Sequence, residues 1–207
     1  MNATTERRHA IFLVSIYLFG RLALDFIFWR TITPYAAYAF EVAFVIWAWW
    51  VFKKRISFSP VSGTFTFLDL LLPLLTGFAA YRLGAFAQIP IPFDLTSWET
   101  RLLLLVIAPV LEELIFRGAL WEALRTLVKT NSHVLTLTSV LFAVGHFLAL
   151  WSVPMPLRSF VLYQTLYVLV LGLAAGWRRI VTDSVISPIL IHFCFNLGFF
   201  LAATVRL

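Results

Sequence analysis

What this chain has least of is charge: Asp, Glu, Lys and Arg together make up 13% of its 207 residues, against 61% hydrophobic. So small a polar share excludes a water-soluble domain of this size, which would need polar residues over most of its outer face. Acids are scarcer than bases, 10 against 16, an excess that would suggest nucleic acid in a soluble protein. Here the Lys and Arg residues sit in short segments between apolar runs, so the excess reads as membrane topology and no nucleic-acid partner is expected. The single cysteine, Cys194, excludes an intrachain disulfide and reads as a small core residue. With no polar half, internal repeat or low-complexity tract, one transmembrane domain over residues 1–207 is expected.

What the chain does have is long apolar stretches. Windows long enough for membrane helices run roughly through residues 10–29, 35–52, 64–81, 100–124, 133–150, 159–177 and 184–205. Turn chemistry separates them at Thr31–Pro34, Ser57–Gly63, the Pro90, Pro92 and Asp94 segment, Asn131–Ser132, Pro154–Pro156 and Thr182–Ser184. The pattern predicts an all-α fold, a polytopic transmembrane helix bundle of about seven membrane helices. Arg7 and Arg8 ahead of an apolar segment are also how a secretory signal begins. That segment spans, holds Arg21 and Asp25 and lacks a small-residue cleavage site, so an uncleaved first helix is expected. With the N-terminus cytoplasmic, inner segments hold ten bases and outer ones five, which places the N-terminus inside and the C-terminus outside.

Ionisable groups within membrane helices cost about 2.5 to 3.5 kcal/mol each on insertion scales, so each demands a partner or a task. Glu112, Glu113, His146, His192 and Asn196 stand out. Adjacent helical residues point about 100° apart, so the two carboxylates diverge, whereas Glu113 and Arg117 stack on one face and form an ion pair. Glu112 has no local partner, which suits a general base or acid. His192 and Asn196, four apart, can aim at one point and hold an oxyanion. Counted from the expected membrane edges at a rise of ~1.5 Å per residue, Glu112, His146 and Asn196 lie ~18 Å deep and His192 ~12 Å. Pro109 removes one backbone hydrogen bond three residues before Glu112 and bends the helix there.

Read together, Glu112-Glu113-x-x-x-Arg117, Phe142-x-x-x-His146 and His192-x-x-x-Asn196 resemble, in order, the motifs of the CPBP family of CAAX-type intramembrane endopeptidases. The resemblance spans about residues 100–200, and the first 95 residues carry no matching motif. It implies an intramembrane protease of a membrane-anchored or lipid-associated protein or peptide, in the lipid bilayer of a bacterial inner membrane. It further implies that Glu112 and His146 activate a water, that His192 and Asn196 stabilise the oxyanion, and that Glu113 with Arg117 supports them, with no cofactor and no metal. Zinc held by Glu112, His146 and His192 is the alternative, although His-Glu-x-x-His is lacking. Buried acids and histidines also suit a proton-coupled transporter or a non-catalytic immunity or binding protein; no inverted repeat favours the former.

Outside these motifs, Arg21 and Asp25 are expected to pair, Asp69 to favour a helix start, and His9 and His133 to lie at helix ends. Glu41 is open between the cavity and an arginine. Gly172 and Gly176 are expected to let a neighbouring helix approach closely.

Overall fold

A computed structural model describes residues 3–24, 34–52, 55–59 and 64–205. Asp25, Arg30, Lys53, Lys54, Gly63, Arg206 and the break at Thr31–Thr33 lie outside the described residues. Within them the fold is all-α: α1 (Ala3–Leu22), α2 (Pro34–Phe52), α3 (Leu68–Phe86), α4 (residues 98–127), α5 (Asn131–Phe147), α6 (Arg158–Thr182) and α7 (Ile186–Thr204). Four segments are long and apolar enough to cross a membrane, namely Leu68–Phe86, Asn131–Trp151, Met155–Thr182 and Ile186–Thr204, while Ala36–Phe52 is a shorter apolar helix. Large apolar side chains such as Phe19, Ile46, Trp50, Leu72, Phe86, Leu166 and Val170 stand exposed around the bundle, as a lipid-facing surface requires. One cluster of buried apolar side chains extends from Ala10 in α1 to Phe199 in α7.

Side chains take up backbone amides at the starts of α3, α4 and α5. Asp69 accepts from the Thr66 amide at 2.6 Å and its hydroxyl at 3.1 Å, Ser97 caps α4 through the Thr100 amide, and Thr130 caps α5 through the His133 amide. Asp69 also pairs with Arg178 at 3.1 Å. Two helices outrun their expected ends. α3 continues past Tyr81 to Phe86, and α6 continues past Trp177 to Thr182, with Arg178 paired to the half-buried Asp69 and Arg179 to the buried Glu122. His9 lies in the second turn of α1, not at its end.

Close backbone approaches fix two helix pairs. A Cβ on Gly77 would overlap the Phe195 carbonyl, and one on Gly198 would overlap the Leu74 carbonyl, so α3 and α7 meet through reciprocal glycines. Gly172 and Gly176 let α6 approach α5, where added side chains would press on Ser139, Phe142 and Leu135. Tyr163 of α6 donates to the Ala80 carbonyl of α3 at 2.6 Å.

α4 is not one regular helix. Two π-helical segments, Leu103–Ile107 and Leu114–Ala119, bracket the α-helical Ala108–Glu113. Pro109 explains the first: the Ala108 amide reaches back five residues to the Leu103 carbonyl, and in that register Pro109 has no N–H to give the Leu104 carbonyl. Where the sequence predicts a proline bend, the fold answers with a local π register and a carbonyl left over for a side chain.

Candidate active site

Three of the helices, α4, α5 and α7, deliver the polar residues to one place. Glu112, His146, His192 and Asn196 all line a cavity of about 310 Å³. Its remaining wall is largely apolar, with Phe93, Leu103, Leu171, Phe195 and Phe199 among its members. The adjacent glutamates part as their 100° offset dictates. The Glu113 side chain is wholly buried, whereas that of Glu112 keeps 27% of its surface, turned to the cavity.

Behind the cavity lies a buried ionic relay. Arg117 approaches both Glu113 oxygens, at 3.2 and 3.1 Å, and donates to the Gly172 carbonyl of α6 at 2.7 Å. That last contact needs the glycine, since a Cβ there would lie 3.1 Å from the guanidinium. Glu113 in turn accepts from Nδ1 of His192 at 2.9 Å. A carboxylate only accepts, so Nδ1 carries a hydrogen, and Nε2 is left facing Glu112 Oε2 at 3.8 Å. The arrangement resembles the way a carboxylate orients a histidine in hydrolase triads. Arg117 also lies over the Phe142 ring at 5.1 Å, and Phe142 meets both imidazoles edge-on.

His146 is oriented differently. Its Nδ1 bonds the Phe142 carbonyl one turn earlier at 3.0 Å, which fixes the hydrogen on Nδ1 and, in the neutral ring, leaves Nε2 as an acceptor. Asn196 donates to the Leu104 carbonyl at 2.7 Å, the group that Pro109 leaves without an amide. One Asn196 N–H is thereby committed to α4 and the other remains. His192 and Asn196 thus share the cavity, as their spacing predicts, while each is anchored by a partner the spacing did not reveal.

The sequence reading left out Tyr38, Gln164 and Tyr167, which also line the cavity. Gln164 carries a legible signal, an amide within an apolar window. Arg21 pairs with Glu41 at 2.6 Å, which answers the question left open at Glu41; Asp25 lies outside the described residues. Arg179, one of the ten bases counted in the inner segments, is wholly buried and binds Glu122 at 2.9 Å, Asp183 at 2.6 Å and the Arg117 carbonyl at 3.1 Å. Arg117 is equally buried, so neither base contributes to the interfacial charge bias. Cys194 is a free, buried core residue, as expected.

Residues 95–198 match the family model of the Type II CAAX prenyl endopeptidases, Rce1-like. The chain belongs to this family. Among curated proteins and solved structures nothing matches it. As an Rce1-like protein it is a CAAX-type protease, a hydrolase of the bilayer whose substrate is a membrane-associated protein. The Rce1-like match begins just ahead of α4 and covers the cavity's three motif-bearing helices; α1, α2 and α3 precede it.

Proposed function

We propose that this protein is a metal-independent intramembrane endopeptidase that hydrolyses a peptide bond of a membrane-anchored or lipid-associated protein or peptide. The observation that carries the reading is the convergence of Glu112, His146, His192 and Asn196, from three separate helices, on one cavity. A water held between Glu112 and Nε2 of His146 gives up a proton to the carboxylate as its oxygen bonds to the scissile carbonyl carbon. The carbonyl oxygen becomes an oxyanion, stabilised by the remaining Asn196 N–H and by the His192 imidazole that Glu113 holds in place. Glu112 then passes its proton to the amide nitrogen as the C–N bond breaks, releasing an amine and a carboxylic acid. Glu113 and Arg117 position the ring and do not touch substrate.

Zinc on Glu112, His146 and His192 is the competing chemistry. Among the described residues no group of three or more His, Cys, Asp or Glu side chains is disposed to hold a metal ion, which supports the metal-free route. The test is cleavage of membrane-anchored peptides by the purified, liposome-embedded protein before and after treatment with a chelator. Unchanged turnover is expected, and loss that zinc restores would replace the mechanism. A folded wild-type protein that binds such peptides without cutting them would leave a binding or immunity role instead. We further propose that the N-terminus is cytoplasmic and that the membrane is a bacterial inner membrane; labelling of single cysteines placed in the terminal and connecting segments tests the orientation.

A further inference from the structure

On the far side of Glu112 and His146 lies a second cavity, of about 370 Å³. The two cavities share Tyr38, Glu112, His146 and Gln164 and differ in the rest of their walls. The second is walled by Tyr17 and Arg21 of α1, Ala37 and Glu41 of α2, Gly145 of α5 and Ala149 in the short 3-10 segment after it. It therefore carries an ion pair whose side chains keep 24% and 13% of their surface, together with two tyrosines and the Gln164 amide. Hydrolysis inside a bilayer needs water as well as peptide. Water settles where two to four polar partners surround it, while apolar cavities stay dry.

Gly145 supplies an independent argument. A glycine inside a helix costs about 0.5 to 1 kcal/mol relative to alanine, so its presence asks for a reason. Gly77, Gly172, Gly176 and Gly198 have one, because a Cβ on each would crowd a neighbouring helix. A Cβ on Gly145 meets nothing within 4 Å. No neighbour demands the glycine; a side chain there would instead enter the second cavity beside His146.

Resting on the hydrolase reading above, we propose that the cavity between α1, α2 and α5 is the water chamber of the reaction, kept open by Gly145, while the first cavity, which carries His192 and Asn196, receives the peptide. At ~30 Å³ per molecule it has room for about ten waters. The N-terminal helices, which lie outside the family match, thereby supply the nucleophile's reservoir. Water reaches Glu112 from the side opposite the substrate and is not displaced when peptide binds.

The test is a size series, Gly145→Ala and Gly145→Leu, in the full-length protein with a membrane-anchored peptide that the wild type cleaves. The expected result is a stepwise fall in kcat, about tenfold or more for Gly145→Leu, with KM unchanged. A rise in KM at constant kcat would overturn the proposal, because it would place a segment of the substrate in this chamber. Hydration is read separately, without turnover, from Ala37→Cys in a Cys194→Ala background exposed to a charged methanethiosulfonate. Rapid modification that slows when Gly145→Leu is added supports the chamber; an unreactive Cys at 37 in the folded protein overturns it. Should the wild type cleave nothing, the hydrolase reading fails while the labelling still reports whether the chamber is wet. Should Gly145→Leu not fold, Gly145→Ala and the labelling decide.

Discussion

α4 contributes to two buried glutamate–arginine pairs, and they are built for different ends. At Glu113 and Arg117 the partners sit four apart on the same helix, and Glu113 is shared with His192. Two turns on, Glu122 draws its partner from α6, and Arg179 continues to Asp183 at the helix end. Both glutamates and both arginines are within 1% of complete burial. Burial of charge therefore does not distinguish them. What differs is the neighbour: beside the first pair stands Glu112, open to a cavity and facing an imidazole, and beside the second stand the exposed Arg125 and Asp183. A buried ion pair organises helices in either place; only the first is set against a carboxylate that shares a cavity with two imidazoles and an amide.

The sharpest way to break this comparison is to neutralise one acid in each region. Glu112→Gln should lower cleavage by ~10³-fold or more while the protein inserts and unfolds like the wild type. Glu122→Gln should leave turnover within a few-fold and lower the midpoint of thermal unfolding. Cleavage by Glu112→Gln at the normal rate would reject the assigned base.

Removing the cations comes next. Arg117→Met and Arg179→Met each remove the buried cation from a buried carboxylate, and each should cost about 3 to 5 kcal/mol of stability, measured by denaturant unfolding in bicelles. Arg117→Met should also release His192 and lower the turnover of the protein that remains folded. Arg179→Met, which touches the site only through the Arg117 carbonyl, should affect turnover less.

Asn196→Ala should reduce kcat by ~10² to 10³ with little change in KM, as loss of an oxyanion donor does. Weaker binding at unchanged turnover would make Asn196 a substrate contact. Its bond to the Leu104 carbonyl adds a stability component, which Pro109→Ala in the same background should recover by returning an amide to α4.

The smallest effect is expected away from both pairs. Gly198→Ala forces a Cβ against the Leu74 carbonyl and should destabilise by about 1 to 3 kcal/mol, because backbone on the facing helix cannot swing aside as a side chain would. The catalytic rate of the folded fraction should hold.

Much of this was open to reading before any coordinates. Glu113 and Arg117 pair because four residues make one helical turn, and the structure repeats that spacing despite the π segment between them. His192 and Asn196 face one cavity for the same reason. The anchors of those side chains were not legible. That Asn196 holds Leu104 follows from the register Pro109 imposes on a different helix, and that Arg179 is buried follows from Glu122 lying opposite it. The partner of Glu41 was equally out of reach, because Arg21 lies twenty residues away on another helix.

By itself the amino-acid sequence determined the solvent, the number of helices and the identity of the polar residues the bilayer forces inward, because hydropathy and helical period act over one or two turns of chain. The tertiary structure decided which cavity those residues share, which nitrogen of each histidine is tied down, and that two helices outside the family match wall the second chamber. Those outcomes depend on contacts between segments tens of residues apart, where helix packing and close glycine approach, not local spacing, set the distances.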